Sequence, residues 1–121
     1  MNPPERQHPL RGEIWWTQFP GDTAGRKRPA VIVSRDSRNA NSRADTVLAI
    51  PLSTSIHKPG PFHLLLPSGE TGLREDCVAR AENISALTRD RLAGPVVGHR
   101  SLTHSQICRL AALVKLAMGC E

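Results

Sequence analysis

Short apolar segments bounded by turn-forming residues make up most of the chain before residue 100. They are rich in β-branched or aromatic residues and are too short for helices, which favours strands. The predicted strands lie at 12–19, 29–34, 46–53, 62–66, 76–85 and 95–98, the last two being weaker. A polar, turn-like segment at 88–91 separates those last two. Short strands at this spacing predict a mainly β protein built as a small barrel.

Proline residues mark the third strand and the loop after it. Pro51 falls inside the apolar run 46–53, and because proline has no N–H it implies a sheet edge, a bulge or the end of the strand. The sequence Pro59-Gly60-Pro61 then predicts a loop that cannot join a ladder.

The hydrophobic period changes near the C-terminus. Apolar residues recur there at intervals of three and four, which predicts one amphipathic helix. They are Ile107, Leu110, Ala111, Val114, Ala117 and Met118. Thr103 and Gln106 have the spacing of a capping box, and Gly119 is a typical helix stop. Leu113 and Leu116 widen the apolar stripe, so we expect the helix to pack on the barrel or on a second copy of the chain.

The length of 121 residues suits one domain, which we place at 10–121 after a disordered tail at 1–9. The tail has no apolar run, so it resembles neither a signal peptide nor a membrane segment. No apolar run is long enough to span a bilayer. Three cysteines without a C-x-x-C spacing argue against a disulfide framework or a zinc site, and they fit a reducing cytoplasm.

Charge indicates a partner that carries phosphates. Sixteen basic residues oppose eleven acidic ones, and the isoelectric point is about 9.9. Much of the basic charge is local, and Asp36 is the one acidic residue among it. The local basic residues are Arg26, Lys27, Arg28, Arg35, Arg38 and Arg43. The alternative is a solvated basic face with no ligand.

Two positions are candidates for chemistry. Arg28 precedes Pro29, and the proline confines Arg28 to extended backbone at the entrance of a buried strand. A guanidinium held there is suited to clamping a phosphate, although a single arginine is more often part of a surface ion pair. Ser53 ends the third strand beside Thr54 and Ser55, where small hydroxyl residues usually form turns.

In order and spacing, several segments resemble the MazF/PemK family of toxin endoribonucleases, over residues 10–118. The matching segments are Arg11-Gly12-Glu13-Ile14-Trp15-Trp16, Arg28-Pro29-Ala30-Val31-Ile32-Val33-Ser34, Ile50-Pro51-Leu52-Ser53-Thr54 and Arg91-Leu92-Ala93-Gly94 before a terminal helix. The resemblance implies an SH3-like barrel of the PemK/CcdB type and a homodimer. It also implies cleavage of single-stranded messenger RNA at short recognition sequences without a metal or cofactor, which inhibits translation and growth.

The resemblance also assigns residues. The family's catalytic arginine falls on Arg28 and its catalytic threonine on Ser53, which keeps the hydroxyl and lacks the methyl. Its substrate loops fall on 20–27 and 54–61, and an Asp-Gln pair appears as Glu82-Asn83. Expected RNA contacts are Trp16, Thr23, Arg26, Lys27, His57, Lys58 and Asn83.

RNA supplies its own nucleophile, the 2′-hydroxyl, so a protein has only to align it and manage charge and protons. The expected products are a 2′,3′-cyclic phosphate and a 5′-hydroxyl. Arginine holds its proton too tightly to be an obvious acid or base. Glu82, Asp22, Thr54 or a histidine therefore remain candidates for proton transfer or substrate contact.

Adjacent Trp15 and Trp16 must face opposite sides of a strand, one toward the core and one outward. The outward ring is available for stacking on a base, for a dimer interface or for simple packing.

Two other functions remain open. One is a CcdB-like poison of DNA gyrase, which uses an aromatic residue at its C-terminus. Residues 118–121 contain no aromatic, whereas Arg28 and Ser53 are present. The other is an RNA-binding barrel without catalysis. For a toxin of the family, an acidic antitoxin of the MazE type is the expected partner, and the basic charge is compatible with one.

Overall fold

Seven strands and one long helix form the computed structural model, which describes residues 8–23, 25–56 and 58–119. The strands are β1 Ile14–Thr17, β2 Arg28–Ile32, β3 Thr46–Ser53, β4 His63–Leu66, β5 Cys77–Arg80, β6 Ser85–Thr88 and β7 Leu92–Pro95. The helices are α1 Asp36–Asn39, α2 Ser68–Thr71 and α3 His104–Met118, with 3₁₀ turns at Ala81–Asn83 and Arg89–Arg91. Residues 1–7 of the predicted tail lie outside the described residues.

All strand pairs are antiparallel, and the order is β4-β5-β3-β2-β1-β7. β6 also pairs with β3. It lies along the first half of β3, whereas β5 pairs with the last two residues of that strand. Among the described strands, β4, β6 and β7 have one partner each, so the sheet does not close on itself. The predicted mainly β fold is confirmed, as a more open structure than the word barrel implies.

The interpretation of Pro51 was wrong, because β3 is the central strand. β3 pairs with β6 through Thr46–Ala49 and with β5 through Leu52 and Ser53, so Ile50 and Pro51 fall where the partner changes. Val33 donates its N–H to the Leu48 carbonyl, which makes Ala30 and Pro51 a non-hydrogen-bonded pair in the alternating ladder with β2. The nitrogen of Pro51 therefore points away from β2, toward the place between β6 and β5 where β3 has no partner. No N–H is needed there.

The region after residue 76 was also predicted incompletely. The single strand expected at 76–85 is two strands, because the turn at Ala81–Asn83 carries the chain from β5 to β6 along the same edge of β3. The strand expected at 95–98 ends at Pro95 instead. Gly98, at φ 82°, lies in a turn closed by a hydrogen bond from His99 to the Val96 carbonyl, which takes the chain away from β1.

Two apolar clusters fill the two faces of the sheet. The smaller cluster contains Trp15, Ala30, Ile32, Val47, Ala49 and Leu87. The larger lies under α3 and includes Ile14, Val31, Ile50, Leu66, Ile107 and Leu110. The predicted helix is confirmed with its capping box and its glycine stop. It packs on the sheet through Ile107 and Leu110, whereas Leu116 and Met118 are exposed.

None of the helices within the described residues is both long and apolar enough to cross a membrane.

Candidate active site

A polar cavity of about 470 Å³ opens where the start of β2, the end of β3 and the turn after β5 meet. Charged and hydrogen-bonding side chains from three separate segments line it: Asp22, Arg28, Ser53, Arg80, Glu82 and Asn83. The structure thus brings together five residues that the sequence analysis had singled out, and it adds Arg80.

Arg28 is the first residue of β2 and contributes the main cationic group from the 20–28 side of the cavity. Its backbone carbonyl accepts a hydrogen bond from the Thr17 hydroxyl at 2.9 Å. Its Nε donates to Asp22 Oδ2 at 2.8 Å, and the two side chains are 34% and 18% exposed. The carboxylate therefore orients the guanidinium while a third of that side chain stays accessible to a ligand.

Proline opens the space around this arginine. The ladder between β2 and β3 begins at the Ala30–Pro51 pair, one residue after Pro29. Proline has no N–H to continue that ladder toward β3. The two strands are therefore unpaired at the level of Arg28 and Ser53, where the cavity lies.

Ser53 is the last residue of β3 and is partly exposed. Its Oγ accepts a hydrogen bond from the Ser55 backbone N–H at 3.2 Å. This is the turn-forming contact expected of a serine after a strand. Because the oxygen acts as acceptor in that bond, the hydroxyl proton remains available to donate into the cavity.

Glu82 lies in the turn after β5, and its carboxylate joins a small network. Oε1 is 3.0 Å from His63 Nε2 and 3.4 Å from Arg80 Nε, whereas Oε2 is buried and has no partner among the described residues. Burial by itself raises the pKa of this carboxyl. Hydrogen bonds from its own backbone N–H, His63 and Arg80 outweigh that effect and hold the pKa below its usual value. Glu82 is therefore ionised at neutral pH.

The alternation of side chains along the strands divides the predicted site residues between two surfaces. Arg28 and Ser53 face the cavity, whereas the residues that follow them, Pro29 and Thr54, line a separate apolar groove of about 400 Å³ with Trp16. The predicted split of the tryptophan pair is confirmed: Trp15 is buried in the core, and Trp16 is 39% exposed.

Four of the other predicted RNA contacts are exposed and do not line the cavity. Thr23, Arg26, Lys27 and Lys58 are exposed. His57 lies outside the described residues. Within the described part of the predicted RNA-contact set, Asn83 alone lines the cavity, because it shares the turn of Glu82.

The sequence analysis missed Arg80 and gave His63 no role of its own. Arg80 is the last residue of β5, and its register partner across the β4–β5 hairpin is His63. Arg80 is near Glu82 in the sequence, whereas only the pairing of β4 with β5 brings His63, which is 17 residues before Arg80, beside that carboxylate. A basic residue next to a predicted carboxylate, at Arg80 and Glu82, was the signal available in the sequence.

Cys77 begins β5, the strand that ends at Arg80. Cys77 is buried, and burial, assisted by the nearby charge of Asp76, raises the pKa of its thiol to about 11, so it is an apolar filler at neutral pH. The part of the chain that the structure describes contains no group of three or more His, Cys, Asp or Glu side chains placed to hold a metal ion.

Fold and site together define a small antiparallel β protein with a cavity suited to holding a phosphate. Residues 10–118 match the family described as PemK-like, MazF-like toxin of type II toxin-antitoxin system. The endoribonuclease MazF9 of Mycobacterium tuberculosis is 38% identical over 92 residues, which are 71% of this chain and 78% of that protein.

Solved structures share the fold. A mycobacterial endoribonuclease in complex with its cognate antitoxin aligns with a TM-score of 0.69 and 24% identity, covering 93% of this chain and 97% of that one. The M. tuberculosis toxin MazF-mt6 aligns with a TM-score of 0.71 and 18% identity, covering 90% and 98% of the two chains. MazF from Deinococcus radiodurans aligns with a TM-score of 0.72 and 20% identity, covering 93% and 97%.

The chain therefore belongs to the PemK-like, MazF-like toxin family and is a MazF-type endoribonuclease toxin.

Proposed function

We propose that this protein cuts single-stranded messenger RNA at short recognition sequences by a metal-independent transesterification centred on Arg28, and that the cutting stops translation and growth. The observation that carries the proposal is the cavity itself. It places a permanently charged guanidinium, a hydroxyl donor and an ionised carboxylate around one space, from segments distant in sequence.

In the proposed reaction the 2′-oxygen of the RNA attacks the adjacent phosphorus. A new bond forms between O2′ and phosphorus, and the bond between phosphorus and O5′ breaks. The 2′-hydroxyl loses its proton and the departing 5′-oxygen gains one, so the products are a 2′,3′-cyclic phosphate and a 5′-hydroxyl. Alignment and charge stabilisation supply most of the acceleration in such a reaction.

Arg28 binds the phosphate and stabilises the negative charge that builds on its oxygens. Its Nε donates a hydrogen bond to Asp22, so the two terminal nitrogens of the guanidinium, Nη1 and Nη2, are the ones that bind the substrate. Asp22 acts through Arg28 by fixing its orientation, because its carboxylate is already in that ion pair.

Ser53 donates its hydroxyl proton to a non-bridging phosphate oxygen. Glu82 accepts the proton of the 2′-hydroxyl, because it is ionised and its side chain lines the cavity.

Exposed cationic residues around the cavity extend the RNA contact along the backbone. Arg26, Lys27 and Lys58 are exposed in the loops that precede β2 and follow β3. Trp16, in the apolar groove, offers an exposed ring for a base or for a protein partner.

The proposed partners follow from the family and from the charge. One solved relative is an endoribonuclease in complex with its cognate antitoxin. We propose an acidic antitoxin of the MazE type for this chain, since its formal net charge is +5. We also propose a homodimer, which the family resemblance implies. The proposed site of action is the cytoplasm, because messenger RNA is translated there.

Substitution of Arg28 tests the reaction. We expect the purified protein to cut single-stranded RNA in EDTA and to leave cyclic phosphate ends, and we expect Arg28→Ala to lower the rate at least about 100-fold, since it removes the stabilising charge. Mapping the cleaved ends on a long RNA gives the recognition sequence.

Arg109→Ala is the matched control, because it removes the same charge from an exposed position on α3. Equal cleavage by Arg28→Ala and wild type would refute the assignment. A wild type that binds RNA and never cuts it would establish the silent RNA-binding barrel instead.

A further inference from the structure

His63 occupies a bridging position between a loop and the cavity. It is the first residue of β4, two positions after Pro61 of the Pro59-Gly60-Pro61 loop, and its side chain is 16% exposed. Its Nδ1 accepts a hydrogen bond from the Gly60 backbone N–H at 2.8 Å. Its Nε2 lies 3.0 Å from Glu82 Oε1. One ring therefore touches both the loop and the proposed proton acceptor.

The Gly60 contact determines which ring nitrogen carries the proton. A backbone N–H is always a donor, so Nδ1 must present its lone pair to it. In the neutral ring the proton then lies on Nε2, which donates it to Glu82 Oε1. The two hydrogen bonds thus support each other through one tautomer.

The bond from His63 leaves the two carboxylate oxygens of Glu82 unequal. Oε1 receives hydrogen bonds from His63 and Arg80, whereas Oε2 is buried without a partner among the described residues. A carboxylate held at one oxygen has a restricted orientation, so the hydrogen bonds at Oε1 fix how Glu82 lies in the cavity wall.

The loop fits closely against the same ring. A Cβ added at Gly60 would lie 3.3 Å from His63 Nδ1 and 3.4 Å from Cε1, which is closer than most such contacts. The Ala81 N–H also donates to the Phe62 carbonyl at 3.1 Å, next to the histidine. The base of the loop and the turn that bears Glu82 are therefore joined by backbone and by side chain.

We propose that His63 is a positioning residue that links residues 58–62, which belong to or adjoin the substrate loop that the family resemblance assigns, to the orientation of the Glu82 carboxylate. This inference rests on the proposed function, in which Glu82 accepts the 2′-hydroxyl proton. His63 itself touches no reacting atom. It holds Glu82 for the chemical step through Nε2, and it holds the loop for RNA binding through Nδ1.

Two substitutions separate these contacts. In His63→Asn the side-chain oxygen replaces Nδ1 and keeps the Gly60 bond, but the side chain is too short to reach Glu82. In His63→Gln the longer amide reaches Glu82, but no acceptor remains at the Nδ1 position. His63→Leu removes both contacts, and His104→Gln is the control at an exposed histidine on α3.

We expect the two variants to fail in different kinetic constants. With a single-site RNA, His63→Asn lowers kcat about tenfold and changes KM less than twofold, because the proton acceptor is loosened and the loop is kept. His63→Gln raises KM several-fold and keeps kcat within about twofold, because the loop is loosened and Glu82 stays held. His63→Leu combines the two changes, and His104→Gln matches wild type.

A ¹⁵N NMR spectrum of the histidine rings provides a readout that does not need activity. We expect His63 of the wild type to show a protonated Nε2 and an unprotonated Nδ1. Observation of the opposite tautomer would overturn the inference whatever the kinetics.

The kinetic outcomes divide as clearly. If wild type cuts RNA and both single-contact variants match it, the inference fails while the proposed function stands. If both variants lower kcat and raise KM to the same extent, and both also lower the melting temperature, the histidine is only structural and the inference also fails. If wild type cuts no RNA, the proposed function fails, and the inference fails as well because it rests on that function.

Discussion

Arg28 derives its position from its neighbour in the sequence. Pro29 restricts the backbone of Arg28 and removes the N–H that would have continued pairing toward β3. Both effects belong to two adjacent residues, so the sequence alone indicated an arginine held at a strand entrance. Its partner Asp22 comes from a loop six residues earlier, and only the folded chain brings the two to 2.8 Å.

The hydroxyl of Ser53 can be removed or kept by single substitutions. We expect Ser53→Ala to lower kcat about 100-fold, since one hydrogen-bond donor to the transition state is lost. Ser53→Thr should stay within a few-fold of wild type, because it restores the family's residue and keeps the hydroxyl. Single-turnover cleavage of a short RNA measures both. Full activity of Ser53→Ala would remove Ser53 from the mechanism and leave Arg28 in place.

At the scale of the element, α3 is the part of the fold that local sequence predicts best. Its start, stop and buried face follow from Thr103, Gln106 and Gly119 and from the spacing of Ile107 and Leu110. These signals lie within one or two helical turns of each other, so they do not depend on the remainder of the chain. The Thr103 backbone N–H donates to Gln106 Oε1 at 2.8 Å, and the Gln106 N–H donates to Thr103 Oγ1 at 3.2 Å.

Removal of this cap should cost stability without affecting the site. We expect Thr103→Ala to lower the free energy of unfolding by about 1 kcal/mol. Thr103→Ser keeps the hydroxyl and should cost less than half as much. Urea denaturation followed by circular dichroism measures the difference. A value for Thr103→Ala indistinguishable from wild type would show that the cap contributes nothing to the stability of the folded protein.

The strands of the sheet were harder to predict than the helix. The strands predicted at 12–19, 29–34, 46–53 and 62–66 correspond to β1, β2, β3 and β4, and the prediction for β3 is correct at both ends. The error over 76–98 arose because strand ends there depend on partners far away in sequence. β5 and β6 are separate strands because β3 is long enough to pair with both on one side, and no local pattern contains that information.

At the scale of the whole molecule, the excess of five positive charges should dominate RNA affinity. Each phosphate neutralised on a single strand contributes about −0.7 to the slope of log affinity against log salt concentration. With about three such contacts, a fourfold rise in salt should weaken binding roughly tenfold to twentyfold.

A 2′-O-methyl RNA, which cannot react, allows this binding to be measured without cleavage. Lys27→Ala should reduce the magnitude of the slope by about 0.7, and Arg109→Ala should leave it unchanged. An affinity that does not vary with salt would contradict an electrostatic RNA surface.

The sequence alone indicates the mainly β character, the C-terminal helix, the family resemblance and the choice of Arg28, Ser53 and Glu82 as candidate site residues, because these depend on local periodicity and on short motifs. Only the tertiary structure shows that Trp16 and Thr54 belong to a separate groove, that Pro51 lies in a central strand, and that His63 lies beside Glu82. Those relations arise when strands distant in sequence pair in one register, and a strand's own residues do not specify which partner it will meet.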